Sequence, residues 1–168
     1  MPEPHVETAF ENARRYFLDA QNRYGCAETT FIILKQVFGL SEPDDSSPAM
    51  AMNGGVAYRG NICGAITGAA MSLGMLADRR VPDHRLAKRA ARRILDQFID
   101  QFQSLHGAIN CRELIEMDIH DDRQHLRFIQ GGIWRTRCMS QIELAVRSLA
   151  PLADEDRWES MVKGLSAP

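Results

Sequence analysis

Apolar residues recur at intervals of three and four through most of the chain, the spacing that places them on one face of an α-helix. The clearest stripe follows Pro82 and comprises Leu86, Ala90, Ile94, Phe98, Phe102 and Leu105. It predicts a long helix that ends near residue 105, because glycine, here Gly107, usually follows a helix. The same spacing predicts helices at residues 4–20, 26–38, from about 63, and at 111–117, 121–130, 137–149 and 154–163. No segment alternates like a strand, so the pattern predicts an all-α bundle of about seven helices.

One loop interrupts this pattern. Residues 39–51 contain two prolines and five serine or aspartate residues, and the loop is too short to separate two domains. We therefore expect residues 1–168 to form one all-α domain, since 168 residues suit a single domain. A domain of this length buries enough surface to fold without disulfides or metals. The hydrophobic and charged fractions, 45% and 25%, exclude a disordered or fibrous chain.

Charge and hydropathy exclude several classes of partner. The formal net charge is −2, so nothing in it favours nucleic acid or an anionic membrane. A basic stripe at Arg85, Lys88, Arg89 and Arg92 has no interleaved aromatic residues, and we interpret it as a solvated helix face. The uncharged residues 60–77 are rich in small residues rather than leucine or phenylalanine, which favours a packed helix over a membrane span.

The beginning of the chain resembles neither a secretory signal nor a transit peptide. We therefore expect a cytoplasmic protein, in a compartment where thiols stay reduced. In that setting cysteines serve chemistry more often than they form structural disulfides.

Four cysteines are the main chemical signal: Cys26, Cys63, Cys111 and Cys138. No two of them form a CxxC step, so a shared site has to be assembled from four segments. Each stands where a helix is predicted to start; Asn110 is the predicted cap before Cys111, and Thr136 the one before Cys138. Unpaired N–H groups and the helix dipole stabilise a thiolate there. The alternative is that the cysteines are buried as small apolar residues.

Residues near the cysteines extend this candidate site. Gly64 and Gly68 would let another backbone approach the helix closely, beside the cysteines. Arg59, four residues before Cys63, is either a counter-charge for the site or a surface side chain. His106 is a candidate base or ligand, although capping of the preceding helix is the favoured interpretation.

Several of these residues also form a recognisable motif. Residues 63–68 read CGAITG, a CGAxxG motif; Gly54-Gly55 precede it, and the chain also carries Cys26-Ala27, the run NCREL at 110–114 and the late Cys138. From about Tyr24 to Leu149 the chain resembles the redox-active protein family labelled C_GCAxxG_C_C. It is also similar to the cysteine-bearing domain of split-Soret cytochromes, in which cysteines hold an iron–sulfur cluster.

The resemblance implies a set of ligands. Cys63, Cys111 and Cys138 become candidate ligands of a cluster or another thiophilic metal, and Cys26 becomes a fourth ligand or a resolving thiol. The chain has no CxxCH, so covalently attached haem c is not expected.

Three hypotheses follow. The first is an iron–sulfur or metal-binding redox protein, acting in electron transfer or sensing with an unknown redox partner. The second is a metal-free thiol–disulfide oxidoreductase with Cys63 as the nucleophile. The third is a non-redox interaction module with structural cysteines. Each is compatible with a homodimer, and the sequence does not decide whether the protein is an enzyme.

Overall fold

A computed structural model describes residues 4–165 of the chain. These residues form eight α-helices, which are joined by loops and by short 3-10 and π turns. In chain order the helices are α1 (Pro4–Phe17), α2 (Cys26–Val37), α3 (Gly64–Arg80), α4 (His84–His106), α5 (Cys111–Ile115), α6 (Asp122–Gln130), α7 (Met139–Leu149) and α8 (Glu155–Val162). These residues contain no strand, only an isolated antiparallel bridge between Ile62 and Asn110. The predicted all-α fold is confirmed.

Local capping explains where the helices begin and end. Three begin after an aspartate whose side chain accepts a hydrogen bond from a first-turn N–H group: Asp83, Asp121 and Asp154. Helix α4 ends as predicted, because Gly107 takes a left-handed conformation with φ of +82°. Helix α1 ends at Phe17, three residues before the predicted end.

The predicted helix start at Cys138 is wrong. Residues Trp134–Cys138 form a π turn that continues into α7 without a break, and Cys138 itself has helical angles, φ −66° and ψ −36°. Thr136 lies inside this turn, where its hydroxyl donates to the Ile133 carbonyl oxygen at 3.3 Å. Thr136 is therefore not a cap, and Cys138 does not lie in a free first turn.

Small residues let α2 and α3 pack closely. A Cβ atom on Gly68 would lie 2.5 Å from the carbonyl oxygen of Ala27, and the Ser72 hydroxyl reaches the Phe31 carbonyl oxygen at 3.3 Å. The predicted close approach at Gly64 and Gly68 is confirmed. Of the described helices, α3 included, none has the length and hydropathy that crossing a membrane requires.

Candidate functional site

The structure places three of the four cysteines at helix starts, as predicted. Cys26 is the first residue of α2, Cys63 directly precedes α3, and Cys111 is the first residue of α5. Cys138 lies instead where the π turn meets α7. None of the four forms a disulfide.

Backbone pairing brings Cys63 and Cys111 together. The Cys63 N–H donates to the Ile109 carbonyl oxygen at 2.9 Å, and the Cys111 N–H donates to the Asn61 carbonyl oxygen at 2.7 Å. These bonds flank the isolated bridge between Ile62 and Asn110. The segment before α3 is therefore tied antiparallel to the segment before α5, which makes neighbours of two cysteines 48 residues apart.

Three cysteines line one cavity of about 250 Å³, which is partly open to solvent. They are Cys26, Cys111 and Cys138. Its wall is largely apolar and includes Phe17, Ile119, Phe128 and Trp134. Cys63 is buried beside the cavity rather than in its lining, and its thiol donates to Gln141 Oε1 at 3.4 Å.

Three residues that line the cavity are exposed, Asn22, Tyr58 and Ile129, and they mark its mouth. Tyr58 and His125 both line the cavity, and their ring centroids are 5.1 Å apart. The contact joins the loop before α3 to helix α6, two segments distant in sequence.

Burial dominates the electrostatics of the four thiols. It raises the pKa of Cys63 and of Cys138 well above the ordinary value for cysteine, and raises that of Cys111 to about 12. Negative charge on Cys26 raises the pKa of all three further, because it disfavours a second negative charge nearby. Without a metal, the three buried cysteines are neutral thiols at neutral pH.

Cys26 has a different environment. It is partly exposed. Loss of solvent is the larger effect and raises its pKa above the ordinary cysteine value, and backbone N–H groups oppose this rise. These come from Gly54, Ala27, Cys26 itself and Gly64. They belong to the starts of α2 and α3 and to the loop between them, so three pieces of backbone favour negative charge on one sulfur.

Gly64 is required because the Cys26 sulfur lies against it. A Cβ atom at this position would be 2.3 Å from Cys26 Sγ and 2.9 Å from the Ala27 nitrogen. The first glycine of the CGAxxG motif is therefore the surface on which the sulfur of a different segment packs.

A buried carboxylate holds the neighbouring loop in place. Glu28 accepts hydrogen bonds from the Gly25 N–H, the Ser46 hydroxyl and the Asn53 amide, each at 2.9 Å. Asn53 Oδ1 in turn accepts from the Ala27 N–H at 3.0 Å. This network fixes Asn53, and with it the adjacent Gly54 whose N–H acts on Cys26.

The loop then makes an unusual turn. Residues 54–58 all have positive φ, between +52° and +73°, and three of them, Val56, Ala57 and Tyr58, are not glycine. Each such residue costs about 1 kcal/mol or more in this conformation. Hydrogen bonds from these three N–H groups to carbonyl oxygens of Met52, Ala51 and Asn53 hold the turn, which carries Tyr58 to the cavity mouth.

The supporting residues predicted from sequence fall in different places. Arg59 is exposed, and the cation that lowers a cysteine pKa is Arg137, acting on Cys138. His106 packs against Phe102 with ring centroids 4.7 Å apart, does not line the cavity, and has its pKa lowered by burial.

Sequence reasoning missed several residues of the site. Glu28 and Asn53 had a detectable signal, since a glutamate within an apolar helix and an asparagine before two glycines both suggest structural hydrogen bonds. Tyr58, Trp134 and Gln141 had none. His125 also lines the cavity, although the aspartates that precede it in sequence suggest a solvated face.

The donor atoms are not arranged around a single point. Within residues 4–165, no three His, Cys, Asp or Glu side chains are placed to share one metal ion. A mononuclear zinc site holds every sulfur about 2.3 Å from one ion. Three of the cysteines line a cavity instead, and Cys63 lies beside it.

In the metal-free protein, the rate at which each cysteine is alkylated should depend on how deeply its thiol is buried. We expect iodoacetamide at pH 8 to modify Cys26 first, while Cys63, Cys111 and Cys138 react only after unfolding. For a thiol of pKa about 12, roughly one molecule in ten thousand is thiolate at that pH. Peptide mass spectrometry over time checks this; equal rates at all four cysteines would contradict it.

Comparisons with known proteins agree with the cysteine pattern. A family model described as "Putative redox-active protein (C_GCAxxG_C_C)" matches residues 24–152. A protein of Archaeoglobus fulgidus described as uncharacterized is 24% identical over 155 residues, which cover 86% of this chain and 96% of that protein. No solved structure matches the chain significantly. The match includes all four cysteines and most of the chain, and the protein therefore belongs to the C_GCAxxG_C_C family.

Proposed function

We propose that this protein is an electron-transfer protein whose cysteine cavity holds an iron–sulfur cluster. The observation that carries the proposal is the convergence of Cys26, Cys111 and Cys138 on one cavity, with Cys63 buried beside it. A bound cluster supplies one-electron oxidation and reduction, which suits a family described as redox-active.

The chemistry of the donors fits such a group. Thiolates are the usual ligands of iron–sulfur clusters, and a metal replaces the proton that burial otherwise keeps on each thiol. Backbone N–H groups of Gly54 and Gly64 act to lower the pKa of Cys26, and so favour negative charge on its sulfur against the larger effect of burial. Hydrogen bonds to sulfur and limited solvent access are among the means by which a protein sets a cluster's potential.

The spacing of the donors favours a cluster over a single ion. A mononuclear ion needs its ligands within reach of one point, and no described set of three side chains meets that requirement. A cluster binds its cysteines through different iron atoms, so the ligand sulfurs can lie farther apart than they do around a single ion. The cavity, about 250 Å³, exceeds the roughly 30 Å³ that one water occupies, so it has room for several atoms.

Thiol–disulfide exchange is less well supported. The nucleophile in that reaction is a thiolate, and low-pKa cysteines are partly exposed. Cys63, the nucleophile predicted for this hypothesis, is buried and has a raised pKa. Only Cys26 combines partial exposure with several N–H groups around its sulfur.

Anaerobic reconstitution with ferrous iron and sulfide tests the proposal. We expect visible charge-transfer absorption, stoichiometric iron and sulfide, and an electron paramagnetic resonance signal on reduction or oxidation. C111S and C138S should lose most of the bound iron, because each removes a donor that lines the cavity.

The matched control is H106Q, which removes a candidate ligand that lies outside the cavity. It should retain the iron and the spectrum of the unmodified protein. Circular dichroism shows whether each variant is folded. A folded protein that stays colourless and free of iron, or a C111S/C138S double variant that keeps its cluster, would overturn the proposal.

A further inference from the structure

Exposed apolar side chains are concentrated around the cavity mouth. Among the residues that the structure describes, six large hydrophobic side chains are exposed: Met50, Val56, Tyr58, Leu105, Leu126 and Ile129. All except Leu105 belong to residues 50–58 or to α6, two of the segments that border the cavity. Leu126 is 56% exposed and Tyr58 45%. Grouped exposed apolar residues are typical of an interaction site, whereas scattered ones are not.

These two segments form one continuous surface. Tyr58 and His125 are in ring contact across the mouth, and Ile129 lines the cavity from the next turn of α6. Leu126 and Ile129 are three residues apart and therefore lie on one side of that helix. We call the side chains of Val56, Tyr58, Leu126 and Ile129, with the arginines beside them, the mouth surface.

Basic side chains surround these apolar residues. Four exposed arginines lie on or next to these segments. Arg123 and Arg127 are in α6, Arg59 follows Tyr58, and the Arg135 guanidinium lies 4.6 Å from the ring centroid of Trp134, which lines the cavity. None of them forms an ion pair with another side chain in residues 4–165. Asp121 and Asp122, at the start of α6, offset two of these four positive charges. The rim therefore has a net positive charge, although the formal net charge of the whole chain is −2.

We propose that the mouth surface docks an acidic electron-transfer protein whose redox centre is thereby brought to the opening beside Cys26. The inference rests on the proposed function. One electron passes between the partner's centre and the cluster, so that one is oxidised as the other is reduced. Apolar contact at the centre and opposite charge at the rim are how transient partners are oriented and steered.

Charge argues for such a partner over a second copy of this chain. In a symmetric dimer through the mouth surface, Arg123 and Arg127 of one protomer would face a rim of the same sign, which opposes association. A partner with carboxylates around an apolar centre meets no such repulsion.

Binding of an acidic plant-type ferredoxin to the reconstituted protein tests the proposal. We expect binding at about 20 mM salt that weakens strongly at about 300 mM, because screening shortens the reach of the rim charges. A basic c-type cytochrome should bind far less. Reversing two rim charges in R123E/R127E should weaken ferredoxin binding on the order of tenfold.

The chain offers matched controls for both charge and hydropathy. R85E/K88E reverses two exposed charges on α4, outside the cavity lining, and changes the net charge by the same amount as R123E/R127E. It should bind ferredoxin more tightly than R123E/R127E, so the difference between the two double variants reports position rather than total charge. For the apolar residues, L126S should weaken binding, whereas L105S, the exposed leucine on α4, should not.

Several outcomes would overturn the inference. The unmodified protein could fail to bind ferredoxin at low salt, or could bind the basic cytochrome equally well. R85E/K88E could weaken ferredoxin binding as much as R123E/R127E does. Sedimentation could show a dimer that R123E/R127E dissociates. Iron and sulfide are measured on the same samples. A protein without a cluster that still binds ferredoxin contradicts only the proposed function, and a loaded protein that does not bind contradicts only the docking surface.

Discussion

Replacing Gly64 by alanine is expected to displace the Cys26 sulfur and to destabilise the protein by about 1–3 kcal/mol, the usual cost of overpacking a tight interior. The new methyl group would lie 2.3 Å from Cys26 Sγ and 2.9 Å from the Ala27 nitrogen. Neither the sulfur nor the helix backbone can yield without losing the N–H groups that face the sulfur. G64A should therefore also bind less iron, although it removes no ligand.

Gly74 provides the matched control because it lies in the same helix. A Cβ atom there would have no heavy atom within 4 Å, so G74A should be as stable as the unmodified protein or about 0.5–1 kcal/mol more stable. Urea unfolding of both variants, with iron content after reconstitution, measures the difference. Equal stability and equal iron content in G64A and G74A would show that the sulfur does not depend on this contact.

Replacing Glu28 by glutamine is expected to cost about 2–3 kcal/mol of stability, because a buried acceptor of three hydrogen bonds becomes in part a donor. The Gly25 N–H, the Ser46 hydroxyl and the Asn53 amide all point at the carboxylate. At least one of them would then face an N–H group. Release of Asn53 should also loosen Gly54 and expose Cys26, so we expect faster alkylation of that cysteine.

Glu116 offers a comparison at the surface. Its carboxylate pairs with Arg137 at 2.7 Å, but its side chain is 73% exposed, and exposed pairs contribute about 0–1 kcal/mol. E116Q should therefore unfold close to the unmodified protein, with unchanged alkylation of Cys26. If E28Q proved as stable as E116Q, the buried network would not be what holds the loop.

The helices were predictable because their signals are local. Apolar spacing, Asp83 before α4 and Gly107 after it lie within a few residues of the features they determine. The π turn was not predictable, since an α-helix and a π turn favour the same residues, and no position in Trp134–Cys138 distinguishes them. The start predicted at Cys138 failed for that reason.

The candidate site was predictable in its cysteines and not in its walls. Cys26, Cys63 and Cys111 shared a context at helix starts that a single sequence displays. The cavity wall combines Phe17, Ile119 and Trp134, which lie far apart along the chain and meet only through packing. Nothing near Phe17 indicates that it borders Trp134, although their rings are 5.5 Å apart, edge to face.

The turn at residues 54–58 bears on how this protein can evolve. Valine is among the residues least suited to positive φ, and yet Val56, Ala57 and Tyr58 all adopt it. Glycine at any of the three would relieve strain, so stability by itself favours glycine there. If relatives keep non-glycine side chains at these positions, selection must act on what those side chains contact. Sequence drift in this turn should accordingly follow changes in the molecules that meet the cavity mouth, and should not follow changes in the helical core.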